Sequence, residues 1–167
     1  NSEAFRQFEA SDDFSVFAAE FQTNGRGQKG TNWESETGHN LTFSILLKSN
    51  SIKAEDQFLI AQIVTVGIKR YLKHLGIEAK IKWPNDIYIG DKKICGILIE
   101  HFLSGDTLSG SIVGIGLNLN QKQFRSDAPN PVSVSILTGK EYDIKEELES
   151  LAGFIYEIYY TYRNFSS

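Results

Sequence analysis

A run of short apolar segments between residues 79 and 119, each separated from the next by turn-forming residues, limits the possible folds most strongly. Gly90-Asp91 and Ser104-Gly105-Asp106 are typical of tight turns, and strands joined by such turns are antiparallel neighbours. The strands predicted in this region are Ala79–Trp83 with Ile87–Ile89, Ile94–His101 and Ser111–Leu119. Two earlier segments, Ser15–Phe21 and Leu41–Lys48, predict further strands.

Long amphipathic segments flank these strands and predict helices. One spans Ala54–Leu75, with Gly76 placed to cap its C-terminus, and the other spans Ile144–Arg163, with a capping box that starts at Asp143. A shorter helix is predicted at Ser2–Ala10. We therefore expect an α+β fold, in which a mixed, mostly antiparallel sheet is covered by helices on one face.

Length and charge narrow the functional classes. A chain of 167 residues suffices for one domain with its own core. The net charge of −4 argues against a general nucleic-acid binder, although an acidic total allows a local basic pocket. Cys95 is the only cysteine, which favours a reducing cytoplasm, and we interpret it as a small core residue. The longest apolar run, Phe58 to Ile68, is too short to cross a bilayer, so no membrane partner is predicted.

The stretch from Gln22 to Asn40 is polar and glycine-rich, and loops of this length inside a compact domain are more often functional. Within it, Gly25–Gly30 combines three glycines with Arg26 and Lys29, so that backbone N–H groups and positive charge can surround an anion. The segment matches neither a nucleotide P-loop nor a dinucleotide fingerprint, because no helix begins there. A flexible surface loop with incidental charges explains it equally well.

The segment Lys82-Trp83-Pro84-Asn85-Asp86 predicts polar side chains at a rigid corner. Proline ends or bends the strand and keeps the preceding residue out of helical conformation. A simple turn explains Pro-Asn-Asp but not the adjacent Lys and Trp. We therefore favour a functional corner over a purely structural one.

Glycines interrupt the strands that follow. Gly96 indicates a point where a ligand or another backbone comes close, and strand alternation predicts Lys93 and Cys95 on the face opposite Gly96. A solvated hairpin corner is the alternative interpretation of the lysines. In the next strand, alternating glycines beginning at Gly114 leave one face bare, and Asn118 falls on that face. A β-bulge is the competing interpretation there.

The order and spacing of these segments resemble the catalytic domain of the biotin protein ligases over nearly the whole chain. The matching residues are Gln22, Gly25–Gly30, Trp33, Asn40-Leu41, Lys82–Asp86, Lys93, Gly96–Glu100 and Gly114–Asn118. The resemblance implies a fold related to class II aminoacyl-tRNA synthetases and lipoate ligases. It also implies that residues 1–167 form the catalytic domain. The chain begins with Asn1 and contains no Met, so we expect the family's N-terminal strand and small C-terminal β-barrel to lie outside it.

The resemblance implies a two-step reaction. Biotin and Mg-ATP give biotinyl-5′-AMP and pyrophosphate, and a lysine of a biotin carboxyl carrier protein then takes the biotinyl group and releases AMP. ATP and Mg²⁺ are the expected cofactors, and biotin and the carrier domain are the expected partners. A homodimer is possible, and no nucleic-acid contact by this domain is expected.

Site residues follow from the same resemblance. The implied catalytic residues are Lys93, Arg26 and Asp86, with Lys93 in the main electrostatic role. The implied biotin-binding residues are Asn1, Gln22, Arg26, Gly27, Gln28, Lys93, Gly96 and Gly114. The implied nucleotide-binding residues are Arg26, Gln28, Lys29, Trp33, Asn85, Lys93 and Asn118. No metal ligands are predicted in the protein beyond Mg²⁺ brought by ATP, because the three histidines show no ligand spacing.

Two departures and two alternatives accompany this interpretation. Many family members have basic residues where this chain has Gln28 and Thr31, so we expect Arg26 and Lys93 to carry most of the charge neutralisation. A lipoate–protein ligase would use the same chemistry, but its Arg-Arg-x-Ser-Gly-Gly-Gly stretch is absent from the sequence. A non-catalytic sensor of biotin or biotinyl-adenylate is the other alternative, against which Lys93 and Arg26 argue.

Overall fold

The computed structural model describes residues 1–19, 35–36, 38–48, 52–125 and 130–165. Six of its strands form one sheet in the order β1-β2-β6-β5-β4-β3, and each neighbouring pair is antiparallel. The strands are β1 (Ser15–Ala18), β2 (Leu41–Leu47), β3 (Lys80–Lys82), β4 (Asp86–Ile89), β5 (Lys92–Ser104) and β6 (Thr107–Leu117). The helices are α1 (Ser2–Arg6), α2 (Phe58–His74), α3 (Val134–Thr138) and α4 (Ile144–Phe165), and a 3₁₀ turn spans Ala54–Asp56. The predicted α+β class is confirmed.

Most predicted elements are present, with shifted ends. The first helix stops at Arg6 and continues as turns, and the long helix begins at Phe58 because its first residues form the 3₁₀ turn. Gly76 caps α2 as predicted, with φ +80° and an N–H that donates to Lys73 O, while Ile77 N–H donates to Leu72 O. Helix α3 was not predicted, since five residues are too few to show a helical period.

One face of the sheet is packed under the two long helices. Alternate residues of the central strands, among them Val113, Ile115 and Leu117 on β6, are buried against α2 and α4. The helices approach each other closely at Gly67, where an added Cβ would lie 2.8 Å from Ile155 Cα. This face contains the main hydrophobic core of the protein.

Helix α1 lies on the opposite face, at one end, which corrects the expectation that all helices cover a single face. A Cβ at Gly110 would lie 2.5 Å from the Phe8 ring, so the glycine makes room for the residues that follow α1. Ala4, Leu46 and Ile112 are fully buried here but do not belong to the main core. On this second face, the part of β6 around Gly110 is therefore covered by the residues that follow α1.

A bulge in β5 corrects the predicted position of Lys93. Asp86 pairs with Gly96 and Ile87 with Cys95, but Tyr88 pairs with Lys93, so Ile94 is the extra residue. Because side chains alternate along a strand, this extra residue moves Lys93 to the face of Asp86 and Gly96. Lys93 therefore shares the face of Gly96, and Ile94 and Cys95 are buried in the core.

Among the residues that the structure describes, no helix combines the length and the apolar character that crossing a membrane requires.

The close approach of α2 and α4 predicts opposite effects for two helical glycines. Gly67→Ala forces a methyl group against Ile155, and we expect it to lower the free energy of unfolding by about 1–3 kcal/mol. Gly153→Ala on α4, where an added Cβ meets nothing within 4 Å, is the matched control. It should raise the free energy of unfolding by up to about 1 kcal/mol through helix propensity. Urea unfolding followed by circular dichroism measures both, and equal stabilisation by the two substitutions would contradict this packing.

Candidate active site

Glycines on adjacent strands leave a bare patch at the centre of the second face. Gly96 on β5 pairs with Gly116 on β6. Gly114 lies two residues before Gly116 and on the same face of the sheet. Side chains are absent from these positions, so other groups can approach the backbone of the sheet closely. Predicted site residues Gly96 and Gly114 thus belong to one continuous surface, to which Gly116 adds.

Lys93 and Asp86 form an ion pair at the edge of this patch. Lys93 Nζ lies 2.9 Å from Asp86 Oδ1, and the two side chains are 25% and 35% exposed. Partly exposed ion pairs of this kind contribute only about 0–1 kcal/mol to stability. The pair therefore places an ammonium group and a carboxylate, both partly exposed, beside the glycines of the sheet.

The backbone of Lys93 is held on both sides by the segment that follows residue 129. Its N–H donates to Asn130 O and its carbonyl accepts from Val132 N–H, both at 3.0 Å. This pairing forms a parallel bridge between Lys93 and Pro131. The backbone of Lys93, next to the extra residue Ile94, is therefore held by this segment as well as by its pairing with Tyr88 of β4.

Asn118 follows β6 and is connected to the same segment. Its side-chain Nδ2 donates to Val132 O at 3.1 Å, its backbone N–H donates to Ile94 O, and its carbonyl accepts from Val134 N–H. The residue is 2% exposed, and its Oδ1 is the only buried side-chain polar atom among the described residues that has no hydrogen-bond partner. Such an atom is costly to bury unless something binds to it.

Neighbouring carboxamides contrast with Asn118 because both ends of each are engaged. Asn40 accepts from Leu119 N–H and donates to Gln121 Oε1, and Gln121 Nε2 donates in turn to Gln123 O. Asn120 accepts from Tyr142 N–H and donates to Tyr142 O. These amides tie the end of β6 to its surroundings, so we assign them a structural role; Asn118 differs from them in the unpaired Oδ1 of its side chain.

Asn1 lies across the bare patch between two strands. Its Oδ1 accepts from Ser44 Oγ on β2 at 2.8 Å, and its Nδ2 donates to Glu100 Oε2 on β5 at 2.6 Å. A Cβ at Gly114, on the strand between them, would lie 2.5 Å from Asn1 Oδ1. No role was predicted for Ser44 or Glu100, since only strand register shows that they flank the same glycine.

The corner between β3 and β4 brings further positive charge to this face. Lys80 and Lys82 pair with Tyr88 and Asp86 across β3 and β4, which places them on the face of Lys93. Lys82 Nζ lies 4.8 Å from the centre of the Tyr88 ring. Three lysines therefore share this face of an acidic protein with Asp86.

Asn85 helps to hold this corner. Its Nδ2 donates to Ile97 O at 3.2 Å, and its backbone carbonyl accepts from Ile97 N–H at 3.0 Å. The residue is half-buried at the turn that leads into Asp86. Its predicted contact with a nucleotide stays a prediction.

Several predicted site residues lie outside the described part of the chain. They are Gln22, Arg26, Gly27, Gln28, Lys29 and Trp33.

Cys95, by contrast, is fully buried, and burial raises the pKa of its thiol, which suits the predicted core role. Within the described ranges, no group of three or more His, Cys, Asp or Glu side chains is arranged to hold a metal ion.

The sequence is similar to those of known biotin ligases. The bifunctional ligase/repressor BirA of Bacillus subtilis is 35% identical over 136 residues, which cover 77% of this chain and 40% of that protein. The biotin–[acetyl-CoA-carboxylase] ligase of Paracoccus denitrificans is 32% identical over 141 residues, covering 78% of this chain and 57% of that one. The chain thus spans about half of these relatives or less.

A solved structure extends the similarity to the fold. The biotin protein ligase of Aquifex aeolicus in complex with biotin and ATP superposes with a TM-score of 0.76 and 31% identity. The match covers 92% of this chain and 64% of that one. A family model described as the biotin/lipoate A/B protein ligase family matches residues 2–118, which include every described residue of the bare patch. The chain therefore belongs to the biotin/lipoate A/B protein ligase family.

Proposed function

We propose that this chain activates biotin with ATP and transfers it to a lysine of a biotin carboxyl carrier protein. In the first step, a biotin carboxylate oxygen attacks the α-phosphorus and pyrophosphate leaves. In the second step, the lysine amine attacks the carbonyl carbon of biotinyl-5′-AMP, an amide forms, a proton is lost and AMP leaves. The observation that carries the proposal is the Lys93–Asp86 pair beside the glycine patch.

The charge of this site suits the first step. Adenylation brings a carboxylate and a polyphosphate together, so fixed cations must offset their repulsion without reorganising. Lys93 is held through both its backbone N–H and its carbonyl, and is therefore a preorganised cation. Lys80 and Lys82 add positive charge on the same face. The relative from Aquifex aeolicus, solved with biotin and ATP, supports the choice of substrates.

Asp86 suits the second step. Its carboxylate is 35% exposed and already lies within contact distance of an ammonium group, that of Lys93. The incoming substrate group is also a lysine amine, so the same carboxylate is able to orient it. We assign Asp86 this orienting role.

Asn118 and Asn85 suit the nucleotide end. The unpaired Oδ1 of Asn118 is a hard oxygen donor of the kind that Mg²⁺ accepts, and Mg²⁺ usually takes only one or two protein oxygens together with phosphates and water. Asn118 would serve the nucleotide or the Mg²⁺ that ATP brings, an ion that neutralises phosphate charge when bound, and Asn85 is proposed beside the nucleotide. Asn118 otherwise contributes an acceptor whose direction is set by the contact of Nδ2 with Val132 O.

The predicted loop residues complete the proposal. Arg26 is expected to neutralise charge together with Lys93, and Gly27, Gln28 and Gln22 are expected to contact biotin. Lys29 and Trp33 are expected at the nucleotide. The domain assignment of residues 1–167 as a catalytic domain is proposed on the same basis.

Pyrophosphate exchange tests the proposal against its alternatives. Incorporation of labelled pyrophosphate into ATP that depends on biotin supports a biotin ligase. Exchange that depends on lipoate and not on biotin would favour a lipoate ligase. Tight binding of biotin without exchange would favour a sensor, and an acceptor-domain labelling assay with biotin then checks the second step.

Lys93→Ala should lower the rate of biotin-dependent exchange by about 100- to 1,000-fold, the usual effect of removing one fixed transition-state donor. Lys92→Ala is the matched control, because Lys92 is the exposed neighbour that pairs with Ile89 at the hairpin corner. We expect it to leave the exchange rate unchanged. An unchanged rate in Lys93→Ala would remove Lys93 from the mechanism.

Asn118→Leu should raise the KM for Mg-ATP by about tenfold or more, since it removes an acceptor worth roughly 1.5–3 kcal/mol to a charged partner. Asn120→Leu is the comparison, because the amide of Asn120 is engaged by Ser135 and Tyr142. It should lower the unfolding free energy by about 1–3 kcal/mol and leave the KM unchanged. Steady-state exchange kinetics and urea unfolding separate the two, and an unchanged KM in Asn118→Leu would contradict the assignment.

A further inference from the structure

The carboxamide of Asn1 is held at both ends by groups with opposite hydrogen-bonding character. Ser44 Oγ donates to Asn1 Oδ1, while Asn1 Nδ2 donates to Glu100 Oε2. An ionised carboxylate accepts hydrogen bonds and cannot donate them. Glu100 therefore permits only the orientation in which the amide nitrogen faces β5 and the amide oxygen faces β2.

The setting adds a second constraint on Asn1. Ser44, Gly114 and Leu98 are partners in register across β2, β6 and β5, and Glu100 follows Leu98 on the same face. Asn1 reaches across the middle strand only because Gly114 has no side chain. Ser44 is 6% exposed, so its hydroxyl is confined on the side of the sheet that faces Asn1.

We propose that Glu100 is a positioning residue that fixes the amide orientation of Asn1 and thereby favours a ligand head group with both a donor and an acceptor. Besides the two groups already bonded, the Asn1 carboxamide has one more N–H and one more oxygen lone pair. Because the amide orientation is fixed, its nitrogen lies on the β5 side and its oxygen on the β2 side. A cyclic urea offers a carbonyl and N–H groups that match such a pair, whereas a dithiolane ring offers neither. This inference deepens the proposed function and rests on it.

Glu100→Ala is the primary test, with biotin-dependent pyrophosphate exchange as the assay. It should raise the KM for biotin by about tenfold, the loss expected for one hydrogen bond to a charged group. The kcat and the KM for Mg-ATP should stay within about twofold, because Glu100 acts on Asn1 and not on the Lys93 site. Glu100→Gln should have an intermediate effect, since a glutamine can accept from Asn1 but also permits the reversed amide.

Glu141→Ala is the matched control, because Glu141 is an exposed glutamate that contacts Lys122 Nζ at 3.0 Å and belongs to none of the hydrogen bonds around Asn1. It should change no kinetic constant. A general loss of fold or surface charge would affect both variants alike and would overturn the inference.

A double-mutant cycle tests whether Glu100 acts through Asn1. If it does, the double variant Asn1→Ala with Glu100→Ala should bind biotin no more weakly than Asn1→Ala alone. Fully additive effects would show that Glu100 acts independently, and the inference would be wrong. An unchanged biotin KM in Glu100→Ala would overturn it as well.

Nuclear magnetic resonance separates this inference from the proposed function. The side-chain amide signals of Asn1, identified by their loss in Asn1→Ala, should shift in Glu100→Ala and not in Glu141→Ala, with no substrate present. If they shift while the wild-type protein shows no biotin-dependent exchange, the proposed function fails and the amide orientation stands. If they do not shift, the orientation by Glu100 is refuted whatever the catalytic result.

Discussion

The pairing of β4 with β5 is the constraint on which the site depends. One extra residue in β5, Ile94, moves Lys93 from the core face to the face that carries Asp86 and Gly96. The backbone of Lys93, beside the bulge, is paired with Asn130 and Val132, which hold this part of β5 in place. Without it, Lys93 would point into a core of buried aliphatic side chains, where an ammonium group would have to lose its charge.

The same supporting segment also orients Asn118. Val132 donates through its N–H to Lys93 O and accepts through its carbonyl from Asn118 Nδ2. The backbone of Val132 therefore helps to hold both Lys93 and the side chain of Asn118, whose Oδ1 is unpaired. Around them, the amides of Asn40 and Gln121 are fully engaged with the protein, whereas Asn118 Oδ1 is left unpaired.

Much of the architecture could be predicted because it depends on local patterns. Apolar periodicity, Gly76 and the turns at Gly90 and Gly105 place the long helices and hairpins within a few residues of their true ends. Helix α3 could not be predicted in this way, because five residues are too few to show a helical period. The position of Lys93 was predicted on the wrong face, because a bulge leaves no mark in an alternating pattern that continues on both sides of it.

The sequence by itself determined the class of fold, the antiparallel hairpins and the set of candidate site residues, since these follow from periodicity, turn residues and motifs. Only the tertiary structure decided which of those residues meet. Ser44, Gly114 and Glu100 are far apart in the chain and come together around Asn1 through strand register alone. Register depends on pairing between distant segments and on single inserted residues, and both are properties of the folded sheet that no local pattern contains.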